Sequence, residues 1–325
     1  MFFVKYQELI TKLKVFNDIK QSANLGKLAQ AYLFLSPDRL TNKELLLVLS
    51  KLLICKSQSV CDICEHCLKI NVGTHPDVLI YPKDKSFVVE DANSIYDTVQ
   101  VKPMLADKKI YIINDIDLST EQAQNKLLKV IEEPPQNVIF LFSAVKEEKV
   151  LSTILSRVYK HYIDKFKKED LQPLITDVDM ETKNIAMCFG EGYLGQTLDI
   201  VNNSNFIDNY KNMLNLLKNM KKSEQIPYFS GYLSKDKITF ENNLIFLNDF
   251  FRDMLMLKLG QTELIKNDYL INYFEVEHEG FSLKALYEII KKLSMAKQKL
   301  DRNVNLTVLA DNLLFEILEV KYLCK

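Results

Sequence analysis

The sequence predicts an α/β domain followed by an all-α region, and three observations carry that expectation. Short apolar runs alternate with helix-like segments through residues 1–164. Beyond Lys165 only helical periodicity remains, and Gly190, Gly192 and Gly195 punctuate the junction. Buried parallel strands read as continuous apolar runs because helices cover both faces of their sheet, which is the pattern of the first half. The expected layout is an α/β domain over 1–164, a small helical domain over 165–205 and a larger helical domain over 206–325.

Taken in order, Ala31-Tyr-Leu-Phe-Leu35 is a short apolar strand and Lys43 to Ile54 a helix. Val78-Leu-Ile-Tyr81 is the next strand, Glu90 to Val99 a helix, and Lys109-Ile-Tyr-Ile-Ile113 a third strand. A helix from Ser119 to Glu133 follows, with Ser119 and Gln122 as its capping box and Pro134-Pro135 as its stop. Val138-Ile-Phe-Leu-Phe142 closes the series as a further buried strand. In the second half, apolar residues three and four apart predict helices at Asn209–Met220, Asn242–Leu259, Leu283–Leu300 and Leu306–Tyr322. The stripe Phe246, Phe250, Phe251, Met254 and Leu257 reads as bundle core before interface.

Composition narrows the function classes. With 47% apolar and 26% charged residues the chain is neither disordered nor low-complexity. A net charge of -1 gives no global sign of nucleic acid or of an anionic membrane as partner. Lys165 to Lys168 and Lys291-Lys292 read as solvated faces. The apolar run Leu45 to Ile54 is broken by Ser50 and Lys51 and falls short of the ~18 to 20 residues that a bilayer needs. The N-terminal stretch lacks a signal-peptide apolar region, so a cytoplasmic protein is expected. His161 and His278 show no partner in the sequence and read as structural.

Four of the six cysteines, Cys55, Cys61, Cys64 and Cys67, fall within thirteen residues. In a reducing compartment such a cluster reads as a metal site, and four thiolates complete a closed tetrahedral Zn²⁺ shell with no position open for catalysis. A chance cluster of free thiols, an iron–sulfur cluster, or His66 or His75 standing in for one cysteine are the alternatives.

The strand at Lys109 ends in an acidic turn, Asn114-Asp115-Ile116-Asp117. Such a turn holds Mg²⁺ and polarises water in phosphate-hydrolysing proteins, and is otherwise an ordinary polar strand-to-helix turn. Strand, acidic turn, Thr-Glu-Gln-Ala-Gln-Asn-Lys-Leu-Leu-Lys, then Glu-Glu-Pro-Pro, resembles the bacterial clamp-loader family of AAA+ proteins. Ala31-Tyr-Leu-Phe, the four-cysteine insertion, His75-Pro76-Asp77, Ser156-Arg157 and the Gly190 to Gly195 turn fall in family order, so the resemblance covers roughly residues 25–200. The C-terminal third matches in length and helicity alone.

The resemblance implies a RecA-like parallel-sheet domain with a zinc insertion, a small helical lid and a C-terminal helical collar that oligomerises. It also exposes departures. Where active members carry a glycine-rich loop ending in Gly-Lys-Ser/Thr, this chain has Ser36-Pro-Asp-Arg-Leu-Thr-Asn-Lys-Glu44. Asn42 stands at the lysine, Lys43 at the hydroxyl residue, and Asp38 and Glu44 would repel phosphate. Asn114 replaces the metal-side carboxylate, and Gln196 stands where active relatives commonly place a nucleotide-sensing arginine. No ATP binding and no intrinsic ATPase are therefore expected.

Ser156-Arg157-Val158 retains the family's Ser-Arg-Cys motif except for its cysteine. The resemblance makes Arg157 a finger acting on a neighbouring subunit's ATP, with Ser156 supporting it. The implied partners are the clamp-loader tau/gamma and delta subunits and, through the assembly, the sliding clamp and primer-template DNA. Two other readings compete: a divergent AAA+ ATPase using Lys43, Asp115 and Asp117, and a zinc-dependent adaptor that docks through Cys55 to Cys67.

Overall fold

Strands β1 (Ala31–Leu35), β2 (Val78–Tyr81), β3 (Lys109–Ile113), β4 (Val138–Ala144) and β5 (Tyr159–Tyr162) form one sheet in the order β2-β3-β4-β1-β5. Every pairing is parallel, with Val78 opposite Ile110, Lys109 opposite Val138, Ala31 opposite Phe140 and Tyr32 opposite Tyr159. The computed structural model describes residues 6–57, 59–219, 223–302 and 304–323. The three central strands are buried along their whole length, as their apolar runs require. Tyr111, Phe140 and Phe142 stack in the core beside Leu33 and Ile113.

Helices α1 (Lys14–Asn24), α2 (Arg39–Ile54), α3 (Glu65–Asn71), α4 (Val89–Val99) and α5 (Glu121–Glu132) accompany the sheet. The expected strands are all present. One is additional: β5, whose Tyr-Lys-His-Tyr carries no apolar run because it lies at the sheet edge with Tyr159 and Tyr162 largely exposed. The cap of α5 also needs correction. Thr120, and not Ser119, accepts from the third amide, at Ala123, while Ser119 Oγ donates to Ile116 O; the preceding turn at Ile116–Leu118 delays the helix by one residue.

The chain divides into two compact units, residues 1–176 with 190–198, and residues 177–189 with 199–325. The second contains α6 (Met180–Phe189), α8 (Ser204–Asn219), α9 (Ile226–Leu233), α10 (Lys237–Lys258), α11 (Ile271–Glu277), α12 (Leu283–Asp301) and α13 (Leu306–Leu323); α7 is Leu194–Val201. Met220, expected to end the first long helix, lies outside the described residues. Phe246, Phe250, Phe251 and Met254 are buried in the core of this unit and Leu257 packs partly buried against it, so the stripe is bundle core. His278 Nδ1 lies 2.9 Å from Phe274 O, and His161 stacks on Phe34 at 5.6 Å, so both histidines have structural partners.

Candidate functional site

In a parallel sheet the carboxyl ends of the strands share one edge, and ligands of such folds sit there. Here β1, β3 and β4 end at Leu35, Ile113 and Ala144 and deliver Ser36–Arg39, Asn114–Asp117 and Lys146 to one place. Helix α2 begins there, and the N-terminus of a helix after the first strand is where backbone amides and the helix dipole attract an anion. In this chain the anion is built in. Asp38 is the N-cap of α2: its carboxylate accepts from Leu40 N at 3.2 Å, Thr41 Oγ1 at 2.5 Å and Gly195 N at 2.8 Å. A Cβ on Gly195 would collide with that carboxylate, so the glycine is required by the close approach.

Asn42, at the expected lysine position, is fully buried and donates to Ser36 O at 3.2 Å and Ala144 O at 3.3 Å. It ties the loop to β4 and points no donor outward. Arg39 reaches the acidic turn, pairing with Asp115 at 2.6 Å and Asp117 at 3.2 Å. Burial would lower the Arg39 pKa, but the hydrogen bonds it donates to Asp117 and Asp115 carry it up; burial raises that of Asp115 against the pull of Arg39. Lys146 N adds a bond to Asp117 at 3.3 Å. Asn114 turns away, donating to Tyr81 O. Glu44 is not at this edge in a phosphate-repelling position: it is buried, its pKa raised by burial and opposed by the Tyr6 backbone. Lys43 is exposed, and Gln196 is half-buried.

Arg157 lies at the other end of the sheet. It follows a single helical turn, Ser152–Leu155, and precedes β5. Its Nη1 donates to Thr153 O at 2.8 Å and to Ser156 Oγ at 3.1 Å, while Nη2 pairs with Glu132 at 2.8 Å. Ser156 Oγ donates to Thr153 O, so the serine braces the arginine, and Val158 packs against the sheet core.

The four cysteines converge as expected. Their Sγ atoms all lie within 4.8 Å of one another, with Cys55–Cys61 at 3.4 Å, Cys55–Cys64 at 3.8 Å and Cys61–Cys67 at 3.9 Å. A tetrahedron of thiolates bound at ~2.3 Å has edges of about 3.8 Å, so the donor set fits a metal ion. Backbone amides of Ile63 and Cys64 lower the Cys61 pKa to about 6, whereas burial raises those of Cys64 and Cys67. His66 and His75 stay outside this set and face each other at 3.0 Å. The group sits on α2 through a buried lysine with no distinguishing local pattern: Lys51 Nζ bonds Asp62 at 2.5 Å and Gln7 at 2.8 Å. Asp77 of the His-Pro-Asp stretch is structural too, its carboxylate accepting from the amides of Met104, Leu105 and Ala106 at 2.7–2.9 Å.

The paired lysine stretches remain solvated faces, Lys165 with Glu191 and Lys292 with Glu316. The Arg39 and Asp38 contacts join positions distant in sequence. Their one sequence signal was the coincidence of new charges at Asp38 and Arg39 with the acidic turn that an ATP site would have used for metal.

Two family profiles match: DNA polymerase III, delta subunit, over residues 11–167, and the C-terminal region of the same subunit over residues 204–319. The delta' subunit of Bacillus subtilis is 24% identical over 330 residues, covering 94% of this chain and 96% of that protein. DNA polymerase III subunit tau of Escherichia coli is 26% identical over 170 residues, 51% of this chain, and the match spans only 26% of the tau protein. The gamma subunit of Buchnera aphidicola is 27% identical over 184 residues, 56% of this chain and 50% of that protein.

Proposed function

The chain belongs to the DNA polymerase III delta-subunit family, of the delta-prime type, and we propose that it works as a non-hydrolysing subunit of the clamp loader. It assembles with tau/gamma and delta subunits, and the ATP consumed is bound by a neighbour. Through the assembly the sliding clamp is placed on primed DNA. Residues 206–325 form the oligomerising collar and 165–205 the lid, and Cys55, Cys61, Cys64 and Cys67 hold a structural Zn²⁺. When bound, the metal supplies cross-linking of the insertion and no chemistry toward substrate. Among the described residues no helix is long and apolar enough to cross a membrane.

One observation carries the proposal: the two functional ends of the sheet are separate. The edge where an AAA+ fold would hold its own nucleotide is taken up by Asp38, Asn42 and the Arg39–Asp115–Asp117 pairs. Arg157 sits before β5, and the intervening strand length of five residues, about 16 Å, puts it out of reach of that edge. An arginine so placed serves a phosphate only in another subunit. Its guanidinium is always charged and forks onto phosphate oxygens, and a finger given in trans contributes ~10³ to 10⁵ in rate. The same geometry disfavours a divergent ATPase, since Asp115 and Asp117 are already committed to Arg39.

The test is the DNA- and clamp-stimulated ATPase of the reconstituted loader, with this chain, with Arg157→Ala, and with the chain omitted. Restoration by the native chain, and loss of about tenfold or more with Arg157→Ala in an intact assembly, is the expected result. An omission without effect would sink the clamp-loader assignment.

A further inference from the structure

The Glu-Glu-Pro-Pro turn has no part in the mechanism so far, yet among the described residues its first residue makes the one ionic contact to Arg157. Glu132 is the last residue of α5, where the helix dipole disfavours an acid. A carboxylate at that position is out of keeping with its own helix and matches a cation brought to it from elsewhere. The turn is also tied to the sheet. Pro134 and Pro135 prevent further helix, Gln30 Nε2 donates to Pro134 O at 3.3 Å and Pro135 O at 3.0 Å, and Val138 N donates to Pro135 O. The end of α5 is thereby fixed to the starts of both β1 and β4.

Glu132 and Arg157 are 46% and 36% exposed, so their ion pair adds little to stability. Its effect is on direction. Thr153 O and Ser156 Oγ accept from Nη1 and Glu132 pairs with Nη2, so among the described residues Nε–H and one Nη2–H are left without a partner. An arginine is otherwise a side chain of many rotamers, and fixing it before the reaction removes that cost from the rate-limiting barrier.

We infer that Glu132 is the positioning residue for the trans arginine, held in register by Gln30 and the Pro134-Pro135 turn. The inference rests on the finger reading of Arg157. In the reconstituted loader, Glu132→Ala lowers the kcat of the stimulated ATPase about three- to tenfold with KM for ATP unchanged, and Glu132→Gln, which keeps an acceptor oxygen, loses less. In an Arg157→Ala background, Glu132→Ala costs nothing further. Assembly of each variant is checked by gel filtration, and the milder Glu132→Gln serves if Glu132→Ala fails to assemble. If Arg157→Ala is impaired while both Glu132 variants match the native chain, the positioning role is wrong and the finger stands. A further loss in the Arg157→Ala background would show that Glu132 acts by another route and overturn the inference. If Arg157→Ala itself matches the native chain, the finger reading fails and takes this one with it.

Discussion

At the carboxyl end of the sheet, Arg39 turns inward to two carboxylates of its own chain, and Asp38 fills a helix N-terminus with three hydrogen bonds. At the amino end, Arg157 is held by Thr153, Ser156 and Glu132 but keeps donors and exposure to spare. The same residue type thus does opposite things on one scaffold. At the first end the charges pair with one another within the chain; at the second the ion pair is partly exposed to solvent. Comparing the two shows that what an arginine does depends on which of its donors the fold engages, and under the proposed reading the free ones at Arg157 are what a partner would meet.

The sharpest contrast comes from matched substitutions. Arg157→Ala should lower the loader's stimulated ATPase by about tenfold or more, whereas Arg39→Ala should leave that rate within about twofold. An equal loss from both would erase the distinction between the ends. A second effect is on stability. Asp77 holds three backbone amides near the starts of β2 and β3, so Asp77→Asn should cost about 3 kcal/mol by urea unfolding.

That cost should depend on pH. Burial alone would raise the Asp77 pKa, but the three amides hold it below the usual value. The carboxylate therefore adds its stability above the unfolded value of about 3.9 and loses it as pH falls through that value toward the lower folded one. The gap in urea midpoint between native and Asp77→Asn chains should be full at pH 7 and narrow below about pH 4.

Smaller effects test the closed end directly. Removing the cap with Asp38→Ala should cost about 1–2 kcal/mol in stability without creating ATP binding, since Asn42 still supplies no lysine. Calorimetric titration of the isolated variant with magnesium-ATP that gave a clear binding isotherm would contradict the description of a closed edge. On the metal side, Cys61→Ser should abolish a one-to-one zinc content measured by atomic emission and increase amide exchange over residues 55–75, with the sheet still protected.

Much of this was legible in the sequence for a physical reason: buried parallel strands are short apolar runs, and Ala31–Leu35, Lys109–Ile113 and Val138–Phe142 are such runs. The cysteine set was legible because its spacing is local. Strand β5 was not, because an edge strand with exposed tyrosines has no apolar signature. Nor was Lys51, which breaks an apolar run yet is buried because Asp62 and Gln7 come to meet it. The absence of glycines at Ser36–Glu44 raised the expectation of no ATP binding, but gave no hint of the contacts found there: the Asp38–Gly195 bond joins positions 157 residues apart, which no local pattern can reveal.

That bond has an evolutionary consequence. With a carboxylate at the helix end, Gly195 is held by that carboxylate, and the two positions should drift together or not at all among relatives. Asn42, bonded to both Ser36 O and Ala144 O, adds a second lock on the same loop. Replacing any one of these groups would leave the others without their partners, so the loop should change by several substitutions together and resist change one residue at a time.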